Sequence, residues 1–148
     1  MKKNDELIAE AIKLIKSRSV SCAIIKDGGI IHTADGRGVS PLMQVYDSQP
    51  DKLKDAVVVD KIIGKAAAII LVSGGAAGAY GLIMSAAGRD YLTRHGITAG
   101  YGLRVGRIAN RDKTGVCPIE ESVMDVDDPR EGLAVLRATI EKMSALGN

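Results

Sequence analysis

The stretch from residue 56 to residue 72 decides the fold, because it joins an apolar strand to an apolar helix. It reads Ala56-Val57-Val58-Val59-Asp60-Lys61-Ile62-Ile63-Gly64-Lys65-Ala66-Ala67-Ala68-Ile69-Ile70-Leu71-Val72. An uninterrupted apolar run such as 56–59 is typical of a central strand buried on both faces. The run 64–72 is apolar nearly all round, which predicts a helix buried against that sheet. A strand followed directly by a buried helix indicates an α/β protein.

Weaker patterns on both sides of this stretch predict the other elements. Residues 4–17 have apolar positions at helical spacing, so the segment 1–18 is expected to carry an N-terminal helix that packs on the domain. Runs 20–26 and 30–33 predict a hairpin closed by Asp27-Gly28-Gly29. The remaining patterns predict helices near 41–46, 86–94, 118–124 and after 129, and strands at 79–84 and within 97–103. This order predicts a three-layer α-β-α sandwich with a mixed five-stranded sheet, built as a single domain over residues 1–148.

Composition and charge exclude several classes of partner. The chain has four Tyr and no Phe or Trp, so it has no aromatic platform on which single-stranded nucleic acid could stack. The net charge is only +2 and the basic residues are dispersed, so nucleic acid is not an expected partner. No apolar span is long enough for a bilayer and no signal-peptide core follows Met1. We therefore expect a cytoplasmic protein with no membrane partner, in which Cys22 and Cys117 stay reduced.

The segment Asp60–Lys65 is the first candidate site, because it joins the buried strand to the buried helix. Open α/β sheets bind ligands in loops at the carboxyl ends of their strands, and this segment is expected to be such a loop. Lys65 falls in the first turn of an apolar helix, where the helix dipole disfavours a cation. Such a lysine suggests a use, either holding an anionic ligand or donating a proton. The alternative is a lysine that extends to solvent and pairs with Asp60.

Cys117 and Glu120 form the second candidate site. Pro118 is suited to the first position of a helix, which places Cys117 at the N-cap, where free N–H groups favour an anion. The thiol should therefore ionise more readily than a free one. The alternative is that Cys117 is a small buried residue and Glu120 is its capping-box partner. The polar loop 110–114, with Arg111 and Asp112, would by itself indicate only solvated surface.

Three blocks of sequence resemble a known bacterial family of unknown function. They are Gly38-Val39-Ser40-Pro41-Leu42, then residues 59–68, and finally Asn110-Arg111-Asp112 with residues 114–120. Over about residues 20 to 140 the chain resembles the domain-of-unknown-function family 1893, in the cytidine deaminase-like superfamily. The resemblance implies a cytidine deaminase-like fold in which two helix starts face one pocket. It would bring Lys65 and Cys117 together there.

The same resemblance argues against zinc. In zinc deaminases of that superfamily, a His or Cys ligand and a nearby Glu open one helix, and a Pro-Cys-x-x-Cys motif opens the next. Laid on this chain, the pattern puts Ile63 at the first ligand and Lys65 at the catalytic Glu. Cys117 and Glu120 fall on the two motif cysteines. One thiol and one carboxylate stand where zinc needs three protein ligands, so we expect no metal, no cofactor and no zinc-dependent deamination.

Two functions follow from these residues. The first is a metal-independent pocket that binds a small anionic or nucleotide-like molecule, with Cys117 and Lys65 as catalytic candidates. Its ligand-binding candidates are Asp60, Lys61, Arg111, Asp112 and Glu120. The second is a binding or regulatory protein that kept the scaffold and lost catalysis, and a homo-oligomer would suit either because deaminase-fold proteins commonly assemble. A deep, wet pocket with Lys65 facing Cys117 would favour the first function, and a filled pocket the second.

Overall fold

The computed structural model describes residues 3–110 and 112–146, and its elements follow the predicted order. The helices are α1 (Asn4–Lys16), α2 (Ser40–Ser48), α3 (Lys65–Gly74), α4 (Ala86–Arg94), α5 (Pro118–Ser122) and α6 (Pro129–Ala145). The strands are β1 (Cys22–Lys26), β2 (Gly29–Ala34), β3 (Val57–Ile63), β4 (Gly78–Ser85) and β5 (Thr98–Val105). A short 3-10 turn, Pro50–Lys52, follows α2.

The sheet places the valine run at its centre, as predicted. Its strand order is β2-β1-β3-β4-β5. Strand β1 pairs antiparallel with both β2 and β3, whereas the β3–β4 and β4–β5 pairs are parallel. The predicted mixed five-stranded sheet is therefore confirmed, and β3 lies between two strands on each side.

The predicted hairpin between β1 and β2 is confirmed, although its turn is one residue shorter than predicted because Gly29 belongs to β2. Lys26 pairs with Gly29, which leaves a two-residue turn of Asp27 and Gly28. Both turn residues have positive φ, 53° and 79°, as a turn that matches the twist of the two strands requires.

Helices cover the sheet on both faces, and the three-layer prediction is confirmed. On one face, α1 buries Leu7, Ala11 and Ile15 in a cluster with side chains of β1 and β3. On the other face, α3 is the central helix, with contacts to α2, α4, α5 and α6. Every residue from Lys65 to Leu71 is buried, as the nearly all-apolar run predicts. Within the described ranges, no helix has both the length and the apolar character that crossing a membrane requires.

The connection between β3 and α3 differs from the sequence prediction. Asp60 to Ile63 were expected in a loop, but β3 continues through them and pairs Ile62 with Ile83 and Ile63 with Met84 of β4. The loop prediction is wrong because parallel pairing with β4 extends beyond the point where the polar residues Asp60 and Lys61 interrupt the apolar run. Gly64 alone links the strand to the helix.

Candidate functional site

Glu120 joins the start of α5 to the start of α3. One carboxylate oxygen, Oε1, accepts the backbone N–H of Lys65 at 2.7 Å, and Oε2 accepts that of Ala66 at 3.2 Å. These are two of the four N–H groups that a helix start leaves without intrahelical partners, and α3 has no acidic residue in its own first turn. The capping-box interpretation is wrong, because the carboxylate of Glu120 caps α3 rather than its own helix.

The pKa of Glu120 is raised above its ordinary value. Burial of the carboxyl is the main cause, and the hydrogen bonds from the N–H groups of Ala66 and Lys65 partly offset it.

The start of α3 is packed so closely that glycine is required around it. A Cβ on Gly64, the N-cap residue of α3, would collide with the Glu120 carboxylate and with Cδ1 of Ile108. A Cβ on Gly88 of α4 would lie 2.8 Å from the backbone carbon of Gly64. The helix start is therefore enclosed by α4, by α5 and by the segment after β5.

Lys65 is buried and held by internal contacts. Its side chain is 7% exposed, and Nζ donates to the backbone oxygen of Met124 at 2.8 Å. Nζ also lies 5.6 Å from the centre of the Tyr91 ring, within range of a cation–π contact. Burial is the main cause that lowers the pKa of Lys65, and the charge of Arg94 lowers it further. The alternative expected from the sequence, in which Lys65 pairs with Asp60, is therefore wrong.

A cavity of about 30 Å³ lies beside Lys65 and Glu120, which is enough space for water but small for an organic ligand. Its wall is formed by Lys65, Ser85, Ala87, Gly106, Arg107, Ile108, Val116, Glu120 and Met124. Two polar residues of this wall, Ser85 and Arg107, were missed by the sequence analysis. Ser85 ends β4 and caps α4 by accepting the N–H of Gly88, so its position at a strand's carboxyl end was the signal that could have found it. Arg107 lies just after the carboxyl end of β5, so its position was a signal of the same kind.

Asp60 lies away from this cavity, opposite Cys22 in the β1–β3 ladder. Both side chains are buried, and Asp60 is 8% exposed. Burial raises the pKa of Asp60 to about 7, although the backbone N–H groups of Lys61 and Ile62 lower it by hydrogen bonding. Burial also raises the pKa of the Cys22 thiol well above its usual value, and the charge of Asp60 adds to that shift. The pair could not be predicted from the sequence, because the register of β1 against β3 is not encoded locally.

The other predicted site residues are dispersed. Lys61 is exposed on β3 and donates its backbone N–H to Asp60, while Asp112 is exposed in the polar loop. Arg111 lies outside the described residues. Cys117 is the N-cap of α5, as predicted, and is partly exposed. Among the described residues, no hydrogen bond joins it to Lys65. Of the predicted residues that the structure describes, only Lys65 and Glu120 line the cavity.

Comparison with known proteins shows the family and the fold of the chain. The family model described as Domain of unknown function (DUF1893) matches residues 10–140. The chain belongs to the DUF1893 family. A crystal structure of a DUF1893 family protein from Thermotoga maritima is similar with a TM-score of 0.79 at 24% identity, over 96% of this chain and 92% of that chain. The family predicted from the three sequence blocks is thus confirmed, and the shared fold extends over nearly the whole chain.

More distant similarity is to solved structures of proteins named RibD or deaminase/reductase. Acinetobacter baumannii RibD has a TM-score of 0.49 at 18% identity, over 66% of this chain and 34% of that chain. A diaminohydroxyphosphoribosylaminopyrimidine deaminase/5-amino-6-(5-phosphoribosylamino)uracil reductase from Thermotoga maritima has a TM-score of 0.44 at 16% identity, over 57% and 29%. No curated protein matches the chain.

The residues of this DUF1893 protein do not fit the zinc ion of the deaminase superfamily. Both oxygens of Glu120 accept backbone N–H groups of α3, and the amine of Lys65 lies on the same cavity wall. Ile63 offers no donor atom and is fully buried in the core. Within residues 3–110 and 112–146, no group of three or more His, Cys, Asp or Glu side chains is arranged to hold a metal.

We therefore expect the purified protein to contain far less than one zinc per chain, even after incubation with zinc and desalting. Elemental analysis of the wild type and of Cys117→Ala measures this, and the two should have the same low content. One zinc per chain that is lost in Cys117→Ala would show that the thiol is a ligand and that the residues present do hold a metal.

Proposed function

We propose that this DUF1893 protein is a binding or regulatory protein that keeps a deaminase-like scaffold without a catalytic pocket at the start of α3. One observation carries the proposal: the Glu120 carboxylate occupies the start of α3, where the superfamily resemblance places the reactive site. A helix start is a natural site for an anion. Here an anion of the chain itself already fills it, so an external anion would have to displace Glu120.

The size of the remaining space supports the same proposal. Pockets for small molecules and cofactors usually measure about 300–1,000 Å³. The cavity beside Lys65 measures about 30 Å³, so a nucleotide-like ligand would have to displace several side chains before it could bind. Ile108 and Met124 contribute apolar surface to the wall, which is the filling expected of a scaffold that has lost its pocket.

A second candidate function is a site for a small anion that opens only when the cavity wall moves. It is favoured by two basic residues, Lys65 and Arg107, that line this cavity together with Ser85. Movement of the segment 106–108 would enlarge the space beside all three. Chemistry at Cys117 stays a prediction under this alternative.

A thermal-shift screen with nucleotides, sugar phosphates, organic acids and inorganic phosphate distinguishes the two functions. The scaffold proposal expects no compound to raise the melting temperature of the wild type by binding at the cavity beside Lys65, so any shift should be unchanged in Lys65→Met. A ligand at one hundred times its dissociation constant would stabilise the protein by about 2.7 kcal/mol, which is readily measured. The control variants are Lys65→Met, at the cavity, and Lys61→Met, exposed on β3. A shift that persists in Lys61→Met and disappears in Lys65→Met would overturn the scaffold proposal in favour of the anion site.

A further inference from the structure

Strand β5 is an open edge of the sheet. It is the last strand in the order and reads Thr98-Ala99-Gly100-Tyr101-Gly102-Leu103-Arg104-Val105. Proteins usually protect such edges with proline, bulges, short strands or several charges. Strand β5 has eight residues, no proline and one charge, and it exposes Tyr101 and 57% of Leu103. The edge is therefore suited to pairing with another strand.

The outward backbone groups of β5 are arranged symmetrically. The backbone N–H of Thr98 donates to the backbone oxygen of Ala77, the residue just before β4. Because the direction of the backbone groups alternates along a strand, residues 98, 100, 102 and 104 direct theirs toward β4. By alternation, Ala99, Tyr101, Leu103 and Val105 direct theirs away from the sheet. These four positions are symmetric about Gly102. We propose that a second copy of this chain docks on β5, with the two strands antiparallel about a two-fold axis at Gly102.

This register pairs every outward position of the strand. Tyr101 meets Leu103 of the second copy, and Ala99 meets Val105, so each pair exchanges two backbone hydrogen bonds. An axis at residue 101 or 103 would leave an outward position without a partner in the strand. Gly102 lies opposite Gly102 of the second copy in a non-hydrogen-bonded pair, in which the two Cα atoms are closely spaced. A side chain is already excluded there, because a Cβ on Gly102 would lie 2.9 Å from the backbone oxygen of Leu82.

Side chains on both faces of β5 are complementary in the same register. On one face, the exposed ring of Tyr101 packs against the exposed Leu103 of the second copy, an aromatic–aliphatic pair of the kind that stabilises sheets. On the other face, Arg104 of the second copy lies opposite Gly100. The Tyr80 ring covers Gly100, since a Cβ there would be 3.0 Å from Tyr80 Cδ2. The guanidinium of Arg104 is therefore within reach of the Tyr80 ring of the other copy, and a cation–π contact would join the two copies.

Sedimentation velocity over a dilution series tests whether two copies dimerise through β5. The wild type is expected to form dimers that dissociate on dilution, and Leu103→Lys is expected to be monomeric. The matched control is Ile31→Lys on β2, at the opposite edge, where the replaced side chain is 40% exposed; it should dimerise like the wild type. Thermal unfolding followed by circular dichroism establishes that both variants are folded. A wild type that is monomeric throughout, or a Leu103→Lys variant that dimerises like the wild type, overturns the proposal.

Disulfide trapping tests the register itself, in a Cys117→Ser background so that buried Cys22 is the only native thiol. Tyr101→Cys and Leu103→Cys are prepared separately, mixed to exchange subunits, and oxidised. Directly opposite residues in a hydrogen-bonded pair lie about 5.5 Å apart between Cα atoms, within the range that a disulfide spans. The two copies of residue 103 are diagonal neighbours about 7–8 Å apart, too far for a disulfide without strain. The mixture should therefore cross-link several-fold more than either variant alone, and equal cross-linking of Leu103→Cys alone would overturn the axis at Gly102.

Discussion

Replacing Glu120 with alanine is expected to lower the free energy of unfolding by about 3 kcal/mol. The substitution removes the acceptors of the Lys65 and Ala66 N–H groups, which lie in a buried helix start. Charge-assisted hydrogen bonds contribute about 1.5–3 kcal/mol, and loss of a helix cap costs about 0.5–2 kcal/mol. Domains of this kind are stable by only about 5–15 kcal/mol, so the loss is a large fraction of the total. Urea unfolding at neutral pH measures it.

Two further variants separate the carboxylate bridge from a general effect of changing α5. Glu121→Ala removes an exposed carboxylate from the same short helix and should stay within about 0.5 kcal/mol of the wild type. Glu120→Gln keeps one acceptor oxygen and should give an intermediate loss. If Glu120→Ala is no less stable than Glu121→Ala, the bond between α5 and α3 does not keep the pocket closed, and the scaffold proposal loses its main support.

The elements of the fold were predictable because their signals are local. Helical spacing predicted α1, the Asp27-Gly28 turn predicted the hairpin, and the nearly all-apolar run predicted the buried α3. The end of β3 was not predictable, because Asp60 and Lys61 interrupt the apolar pattern while pairing with the neighbouring strand continues. A strand boundary depends on its neighbours, and only the folded sheet supplies them.

The candidate site was predictable in part, for the same physical reason. Lys65 was recognised as unusual at its helix start and Glu120 was named as a ligand-binding candidate, and both line the cavity. Their actual relation, a hydrogen bond between residues 55 positions apart in the chain, has no local signal. Asp60 was assigned to the pocket because it precedes Lys65 in sequence. The alternation of β3 instead directs it toward Cys22 on the neighbouring strand.

Asp60→Asn is expected to make the protein more stable at pH 8, with a gain over the wild type of up to about 4 kcal/mol. The pKa of Asp60 is about 7 in the folded protein, against 3.8 for an exposed aspartate, because its carboxyl is buried. Below about pH 4 the carboxyl is protonated in both states and the two proteins should be similarly stable. Between pH 4 and pH 7 the folded state holds a proton that the unfolded state has released, so the stability of the wild type falls as pH rises. Above pH 7 the full cost of burying the charge is present, and asparagine avoids it.

The readout is the difference in free energy of unfolding between Asp60→Asn and the wild type, measured with urea at several pH values from 4 to 8. Taking the difference cancels the titration of other carboxylates. Asp51→Asn, a change at an exposed position after α2, is the matched control and should show no such trend. A difference for Asp60→Asn that is constant from pH 4 to pH 8 would mean that this carboxyl ionises in contact with water. Asp60 would then belong to an open, solvated site, as the sequence predicted, rather than to the buried pair with Cys22.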